Sequence, residues 1–190
     1  AASALNVALP PRLAIWSAEL ADGFGRANLA ADGFSPLDLA AIMDIESAGG
    51  ETLIRDFALP PPTSPYYKAA LATGVGFTGD DYGLMQINIR AHPDFFTSHD
   101  PFDAMANVRE GAKILGQKYR FLSRSGSPIR IKGVLIGGEL PDPRPLRGDF
   151  ARRAAVAAYN AGEGNVLLAV ARGLDPGAAT YNGTYLSRFD

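Results

Sequence analysis

The sequence predicts a mainly α-helical fold, and three observations support this fold class. Apolar residues recur at steps of three and four between 105 and 122, which is the strongest helical pattern in the chain. Two further stretches, at about 36–48 and 149–162, are bounded by residues that start and stop helices. A strand is indicated at about 129–136, and two glycines follow it that can close a hairpin. We therefore expect several helices around one core, with at most a small β-hairpin.

The helix predicted at about 36–48 has clear signals at both ends. Ser35 is a good N-cap, and Asp38 falls three residues after it, as in a capping box. Gly49 and Gly50 follow the last apolar residues and form the expected helix stop. The sequence therefore predicts a helix that begins cleanly after Ser35 and runs to about Ala48.

Glu46 is the charged position on the apolar stripe of that helix. Three apolar residues precede it at the spacing that places side chains on one helix face, namely Leu39, Ile42 and Met43. Removal from water and the negative end of the helix dipole both raise the pKa expected for such a carboxyl group. General acid catalysis needs a carboxylic acid that stays protonated near neutral pH. A structural role stays open, in which a neighbouring donor satisfies a buried glutamate.

Length and composition indicate one globular domain, because 190 residues are enough to enclose a sizeable core. The net charge of −2 means that nothing globally basic points to nucleic acid or to an anionic membrane surface as a partner. No apolar run approaches the ~20 residues of a membrane span. The chain has no cysteine, which excludes disulfides and thiolate chemistry. Its first residues lack a charged region before an apolar run, so we expect no signal peptide in this chain.

Two segments interrupt the helical pattern. Residues 51–79 contain a proline-rich run and several glycines, and we expect an irregular surface excursion there. Residues 80–90 are expected to form a short strand or helix after it. Residues 123–148 are rich in glycine, proline and arginine and contain the strand signal. We expect 51–79 and 123–148 to be insertions into a single domain of residues 1–190.

Four short motifs follow one another in a recognisable order. They are I-E-S at 45–47, Y-G-L-M-Q-I-N at 82–88, A-A-Y-N-A-G at 157–162 and Y-L at 185–186, with N-V-R-E-G-A-K-I-L at 107–115 between the second and the third. Each motif is weak by itself, but the ordered set with a glutamate on an apolar helix face is specific. The chain resembles the lytic transglycosylases of the soluble type, within the goose-type lysozyme-like superfamily. The resemblance spans about 39–186 and implies a lysozyme-like helical fold.

The resemblance also implies an activity. Enzymes of this type cleave the β-1,4 bond between N-acetylmuramic acid and N-acetylglucosamine in peptidoglycan. Glu46 matches their single catalytic acid/base, which protonates the glycosidic oxygen and then takes a proton from the muramyl 6-hydroxyl, so that an anhydro ring closes. Water is not the nucleophile, and neither a second carboxylate nor a cofactor is implied. The expected partner is the peptidoglycan glycan strand, and the expected protein is a monomer that is periplasmic, secreted or virion-associated.

The same resemblance implies further site residues. Those expected to bind the glycan are Ser47, Gly83, Met85, Gln86, Asn88, Tyr159 and Asn160. Gly83 permits a close approach of the backbone, and Gln86 offers both a donor and an acceptor. Tyr185 matches a catalytic tyrosine whose hydroxyl lies near the acid, and Tyr181 is a rival for that role. Structural alternatives stay open, since Met85 can fill a core gap and Ser47 can bond to the backbone at the helix end.

Asp81 raises a second possibility for the chemistry. The run D-Y-G-x-x-Q-I-N, with Arg90 after it, also resembles chicken-type lysozymes, in which this aspartate is the second catalytic carboxylate. A retaining glycosidase needs two carboxyl groups ~5–5.5 Å apart, and an inverting one ~6.5–9.5 Å. A lysozyme-type hydrolase that uses Glu46 and Asp81 is therefore an alternative, as is a turn aspartate without a catalytic role. A non-catalytic glycan-binding module of a virion or secretion apparatus is the third interpretation.

No metal site is expected from the sequence. His92 and His99 lie near Asp94 and Asp100, but their spacing is not that of a zinc site. The chain also lacks a nucleophile elbow, a P-loop and a dinucleotide fingerprint.

Overall fold

A computed structural model describes residues 9–179, which form two compact units. The first unit contains residues 9–29 and 35–113, and the second contains residues 30–34 and 114–179. Helices dominate both units, which confirms the prediction of a mainly α fold. The described residues form two small antiparallel hairpins, one more than the sequence predicted.

The first unit combines short helices with one hairpin. Its elements are α1 (Pro11–Ala14), α2 (Ser17–Arg26), α3 (Pro36–Ser47), α4 (Tyr67–Ala72), β1 (Asp81–Tyr82), β2 (Ile87–Asn88), α5 (Pro93–Ser98) and the first half of α6 (Ala104–Ser123). Asp81 lies opposite Asn88 in the hairpin. Isolated bridges join Val75 to Tyr82 and Ile54 to Val75, so the segment around Val75 lies beside β1 and the segment around Ile54 lies beside Val75.

Helix α3 begins as the sequence predicts. The Ser35 hydroxyl accepts a hydrogen bond from the backbone of Leu37, and the Asp38 carboxylate accepts one from the backbone of Ser35. The helix is buried on most sides, and its fully buried apolar residues include Leu39, Ala40, Ile42 and Met43. It is therefore a central element of the first unit and a rigid support for the residues at its end.

The excursion at 51–79 is more ordered than predicted, because α4 lies within it. The run Tyr67–Ala72 follows the last proline of the segment and is rich in good helix formers. The prolines before it led to the prediction of an irregular segment throughout. Lys68 on α4 pairs with Glu19 at 2.6 Å and lies 5.2 Å from the centroid of the Trp16 ring. These contacts fasten the excursion to α2 within the first unit.

An ion pair fastens α6 to α2 in the same unit. The Arg109 side chain donates to Asp22 at 2.6 Å, and Arg26 adds a second contact at 3.0 Å. The hydrogen bond from Arg109 is the main cause that lowers the pKa of Asp22 to about 2.

We expect the Asp22→Asn variant to lose about 1 kcal/mol of stability near pH 6. Because the pKa of Asp22 is below its usual 3.8, its contribution is present above that value and is lost as the pH falls towards 2. Urea unfolding of both proteins at pH 6, 4 and 2 measures this difference. A gap between the two proteins that stays constant down to pH 2 would contradict the assigned ion pair.

In the second unit α8 packs on α7, which is rich in alanine. Its elements are the second half of α6, β3 (Ile129–Ile131), β4 (Val134–Ile136), α7 (Gly148–Ala161) and α8 (Glu163–Ala171). Alanines line the buried side of α7, namely Ala151, Ala154, Ala155 and Ala158. Their small size allows close packing of α8 on α7, and Val166 and Leu167 of α8 are fully buried.

The strand predicted at 129–136 is in fact a hairpin of two short strands. Lys132 and Gly133 form its loop, and both have positive φ, at 48° and 85°. A two-residue loop with this backbone matches the right-handed twist of the flanking strands. A turn at the two glycines after Ile136 was expected instead, because lysine is an uncommon residue at positive φ.

Residues 124–147 are attached to the second unit by buried contacts. The Arg144 guanidinium lies 4.8 Å from the centroid of the Phe121 ring and pairs with Asp142 at 2.7 Å. This hydrogen bond lowers the pKa of Asp142. Ile136 and Leu146 are buried, so the segment contributes to the core. Among residues 9–179, no helix has the length and apolar character needed to cross a membrane.

Candidate functional site

Glu46 lies in the last turn of α3 and is half-buried. The residue directly after it, Ser47, is fully buried, and Ala48 ends the helix in the left-handed conformation, with φ 48°. The carboxyl group is therefore carried by the end of a buried helix and not by a loop. A side chain on such an element keeps a defined position, as an acid that acts on one bond requires.

The C-terminal end of α3 is fixed by α1 and its neighbour Trp16. Arg12 donates two hydrogen bonds to the buried carboxylate of Asp44, at 2.6 and 3.0 Å. The same pair raises the pKa of Arg12, chiefly through the hydrogen bond. The buried indole nitrogen of Trp16 donates to the carbonyl of Gly49 at 2.8 Å. The last turn of α3 is thus held from two directions by charged and neutral hydrogen bonds.

The two glycines after the helix allow close packing. Gly49 has φ +65°, and a Cβ atom there would overlap the carbonyl oxygen of Arg12. Gly50 has φ +100°, and a Cβ atom there would overlap the carbonyl oxygen of Leu71. Both positions therefore need glycine for conformation and for space.

Arg55 gathers the backbone carbonyls around these glycines. Its guanidinium donates to the carbonyl oxygens of Gly50, Leu53, Ala70 and Leu71. Burial lowers the pKa of Arg55. The side chain satisfies carbonyls at the C-terminal end of α4 and after α3, where helix geometry leaves them without partners.

Ser47 joins the first motif to the second. Its hydroxyl donates to the carbonyl of Leu84 at 2.7 Å, and its oxygen accepts from the backbone of Gly50 at 3.1 Å. The oxygen also lies 3.3 Å from the carbonyl of Met43. The structure therefore brings the residue beside Glu46 into contact with the Tyr82–Asn88 segment. Because Ser47 is fully buried, its contacts are with the protein backbone, and substrate contact stays a prediction.

Asn107 organises the second motif, and the sequence analysis did not single it out. Its side-chain oxygen accepts from the backbone of Met85 at 2.8 Å, and its amide donates to the carbonyls of Tyr82 and Pro101, both at 2.9 Å. It is only 1% exposed. The available signal was its place as the first residue of the N-V-R-E-G-A-K-I-L motif, a polar residue at the start of a strongly periodic helix.

Gly83 and Met85 occupy the protein interior. Gly83 has φ +71°, and a Cβ atom there would lie 2.5 Å from the amide nitrogen of Asn107. The absence of a Cβ atom at Gly83 therefore makes room for the Asn107 side chain. Met85 is fully buried against Gly111 of α6. Contact of either residue with a sugar stays a prediction.

Two other predicted site residues, Asp81 and Asn88, contact one another in the β1–β2 hairpin. The two carboxylate oxygens of Asp81 accept from Asn88 at 2.9 Å and from the Thr78 hydroxyl at 3.1 Å. The Asn88 side-chain oxygen accepts from the backbone of Arg90 and Ala91. Asp81 is thus tied into the hairpin, and the neighbouring Asp80 pairs with Arg90 at 3.1 Å.

Gln86 lies at the same hairpin. Its backbone has φ 51°, and its side-chain amide donates to the carbonyl of Gly83 at 2.9 Å. Its side-chain oxygen occupies the space that a Cβ atom of Gly76 would need. The carboxamide is half-buried, so it is positioned by the protein before any ligand binds.

The third motif belongs to the second unit. Tyr159 is half-buried and Asn160 is exposed in the last turn of α7, which ends at Ala161 before Gly162. The backbone of Gly162 donates to the carbonyl of Ala158 at 2.8 Å and closes the helix. Tyr185 and its rival Tyr181 lie outside the described residues. Their roles, like those of Tyr159 and Asn160, stay predictions.

The two histidines have local roles in the part of the chain that the structure describes. His92 precedes the first residue of α5, and the His99 ring stacks on Phe95 with 5.4 Å between centroids. Within residues 9–179, no group of three or more histidine, aspartate or glutamate side chains is arranged to hold a metal ion.

Comparison with known proteins assigns the chain to a family. A family model described as the transglycosylase SLT domain matches residues 26–181, which is most of the chain and includes the first three motifs. A search of curated proteins gives no match. The chain therefore belongs to the transglycosylase SLT domain family, the peptidoglycan lytic transglycosylases of the lysozyme-like superfamily.

Proposed function

We propose that this protein cleaves the β-1,4 bond between N-acetylmuramic acid and N-acetylglucosamine and leaves 1,6-anhydro-N-acetylmuramic acid ends, with Glu46 as acid and base. The observation that carries the proposal is the position of Glu46. It lies half-buried in the last turn of a buried helix, next to Ser47, whose hydroxyl contacts the backbone of the second motif. Family membership supplies the substrate, since these enzymes act on peptidoglycan.

The proposed reaction needs one group that first gives and then takes a proton. Protonated Glu46 donates to the glycosidic oxygen, and the bond from that oxygen to the anomeric carbon of the muramyl sugar breaks. The 6-hydroxyl oxygen of the same sugar then bonds to the anomeric carbon, and its proton passes to the Glu46 carboxylate. The acid is regenerated, and no water is consumed. A single carboxyl group can therefore complete the cycle.

Positioning is the contribution of the surrounding residues. The pairs Arg12–Asp44 and Trp16–Gly49 hold the end of α3, and Ser47 holds the second motif against it. Gln86 presents a half-buried carboxamide at the hairpin, which suits the hydroxyl and acetamido groups of an amino sugar. Such fixed groups reduce the entropy lost when substrate binds in a reactive geometry.

Analysis of the product ends tests this function. Purified peptidoglycan is digested with the protein, and the soluble fragments are analysed by mass spectrometry. We expect fragments one water molecule lighter than those of a hydrolytic muramidase, and resistant to borohydride reduction at the muramyl end. Fragments that all carry reducible muramyl ends would refute the transglycosylase proposal.

Hydrolysis with Asp81 as the second carboxylate is the alternative within the enzymes. Both carboxylate oxygens of Asp81 accept hydrogen bonds from Thr78 and Asn88, which supports a structural role in the hairpin. The Asp81→Asn variant distinguishes the transglycosylase from the two-carboxylate hydrolase. It keeps the shape of the side chain, so a transglycosylase should retain most of its activity, whereas a two-carboxylate hydrolase should lose it.

The family's substrate indicates a periplasmic or extracellular place of action. We further propose that the protein acts as a monomer and forms one catalytic domain over residues 1–190. Association with a virion or a secretion apparatus is compatible with this activity. A purely glycan-binding module would instead bind peptidoglycan and release no soluble fragments.

A further inference from the structure

The turn just before the β1–β2 hairpin, which holds three predicted site residues, displays an exposed aromatic ring. Phe77 is 97% exposed, the largest exposure among the large apolar side chains of residues 9–179. It lies in a turn in which the backbone of Gly79 donates to the carbonyl of Gly76 at 3.0 Å. Turn positions of this kind favour glycine, proline, asparagine, aspartate and serine, which makes a phenylalanine unexpected there on conformational grounds.

The turn is built against the polar groups of the candidate site. Gly76, next to Phe77, donates its backbone hydrogen to the carbonyl of Asp81 at 2.8 Å and leaves room for the Gln86 side-chain oxygen. Thr78, on the other side of Phe77, donates to the Asp81 carboxylate at 3.1 Å. The residues on both sides of the ring are therefore fixed by Asp81 and Gln86. An aromatic ring and a carboxamide are thereby held on one small, hydrogen-bonded support.

We propose that Phe77 is a stacking platform for a sugar ring of the peptidoglycan strand, next to the carboxamide of Gln86. The inference rests on the proposed function for the identity of the ligand. Pyranose rings present an apolar face of C–H groups and an edge of hydroxyl and acetamido groups. A solvent-exposed phenyl ring can stack on the apolar C–H face, and a nearby fixed amide can form hydrogen bonds with the hydroxyl and acetamido groups at the edge. Phe77 is thus a residue that determines affinity for the glycan and not one that transfers protons.

A single apolar side chain on a surface needs no special explanation, so the position of Phe77 carries the argument. Tyr66 offers the comparison, because it is also a strongly exposed aromatic, at 75%, but lies at the start of α4. Its backbone contacts are with Ser64 and Ala70. If exposure alone produced binding to peptidoglycan, the two aromatics should contribute equally.

Co-sedimentation with insoluble, purified peptidoglycan tests the proposal. All variants carry Glu46→Gln, so that the wall material is not consumed during the measurement. We expect Phe77→Ala to weaken binding roughly three- to tenfold, in line with the strength of aromatic contacts. Phe77→Tyr keeps the ring and should bind like the parent, and Tyr66→Ala should also bind like the parent. Because both rings are exposed, thermal unfolding should be the same for all variants.

The outcomes separate this inference from the proposed function. Unchanged binding of Phe77→Ala, or an equal loss in Phe77→Ala and Tyr66→Ala, would overturn the stacking platform. Absence of sedimentation by the parent would also overturn it. If Glu46→Gln lyses cell walls as fast as the unmodified protein, the catalytic proposal fails, while a selective loss in Phe77→Ala would still support the platform.

Discussion

Replacement of Glu46 by glutamine should reduce the lysis of purified peptidoglycan by roughly a hundred- to ten-thousand-fold, the contribution expected of a general acid or base. Glutamine keeps the size of the side chain and its capacity for hydrogen bonds, but its amide group is not acidic enough to protonate the glycosidic oxygen. Because Glu46 is half-buried at the helix end, the fold should tolerate this change. The loss of turbidity of a peptidoglycan suspension, measured with equal amounts of both proteins, gives the ratio of rates.

Glu51→Gln is the matched control for this experiment. Glu51 lies five residues further along the chain and is exposed, so the same chemical change should leave lysis unchanged. Thermal unfolding of both variants should coincide with that of the unmodified protein. Equal lysis by the Glu46→Gln variant and the unmodified protein would remove Glu46 from the mechanism.

The Gly49→Ala variant should be destabilised by about 3 kcal/mol or more. Alanine at φ +65° adopts an unfavourable left-handed conformation, and its Cβ atom would overlap the backbone carbonyl of Arg12. Neither the backbone of α1 nor the end of α3 can move without breaking the bonds of Asp44 to Arg12 or of Gly49 to Trp16. Urea unfolding measures the loss, and lytic activity should fall with it, because Glu46 depends on the same helix end.

Gly25→Ala provides the control for this substitution. Gly25 lies in α2, is exposed, has no positive φ, and a Cβ atom there would meet no other atom within 4 Å. Alanine should therefore stabilise the protein by roughly 0.5–1 kcal/mol, because it restricts the unfolded chain and favours the helix. A Gly49→Ala variant as stable as the unmodified protein would contradict the packing described for the end of α3.

The sequence was a good guide to the long helices, because their signals are local. The capping box of Ser35 and Asp38 predicted the start of α3, and the periodic apolar residues of α6 predicted its length. Local signals were less useful in the segments 51–79 and 123–148. The prolines before Tyr67 indicated an irregular segment where α4 in fact forms. The loop of Lys132 and Gly133 divides the single predicted strand into two.

For the candidate site, the sequence predicted positions better than contacts. The order of motifs led to family membership, and Ser47 does link the first motif to the second through Leu84. The role of Asn107 as the support of Met85 was not predictable, because these residues are far apart in the chain and meet only after folding. The amide nitrogen of Asn107 also leaves no room for a Cβ atom at Gly83, so close packing within the protein accounts for a glycine that was expected to admit a sugar.

The central claim is that one carboxyl group at position 46 transfers the proton and that no water enters the product. Digestion of peptidoglycan in water enriched in the heavy oxygen isotope tests this claim most directly. We predict muramyl ends that contain none of the heavy isotope and have the mass of the anhydro sugar. Heavy oxygen at the anomeric position of most muramyl ends would contradict the claim. If the Asp81→Asn variant also lost this activity, the protein would be identified as a two-carboxylate hydrolase.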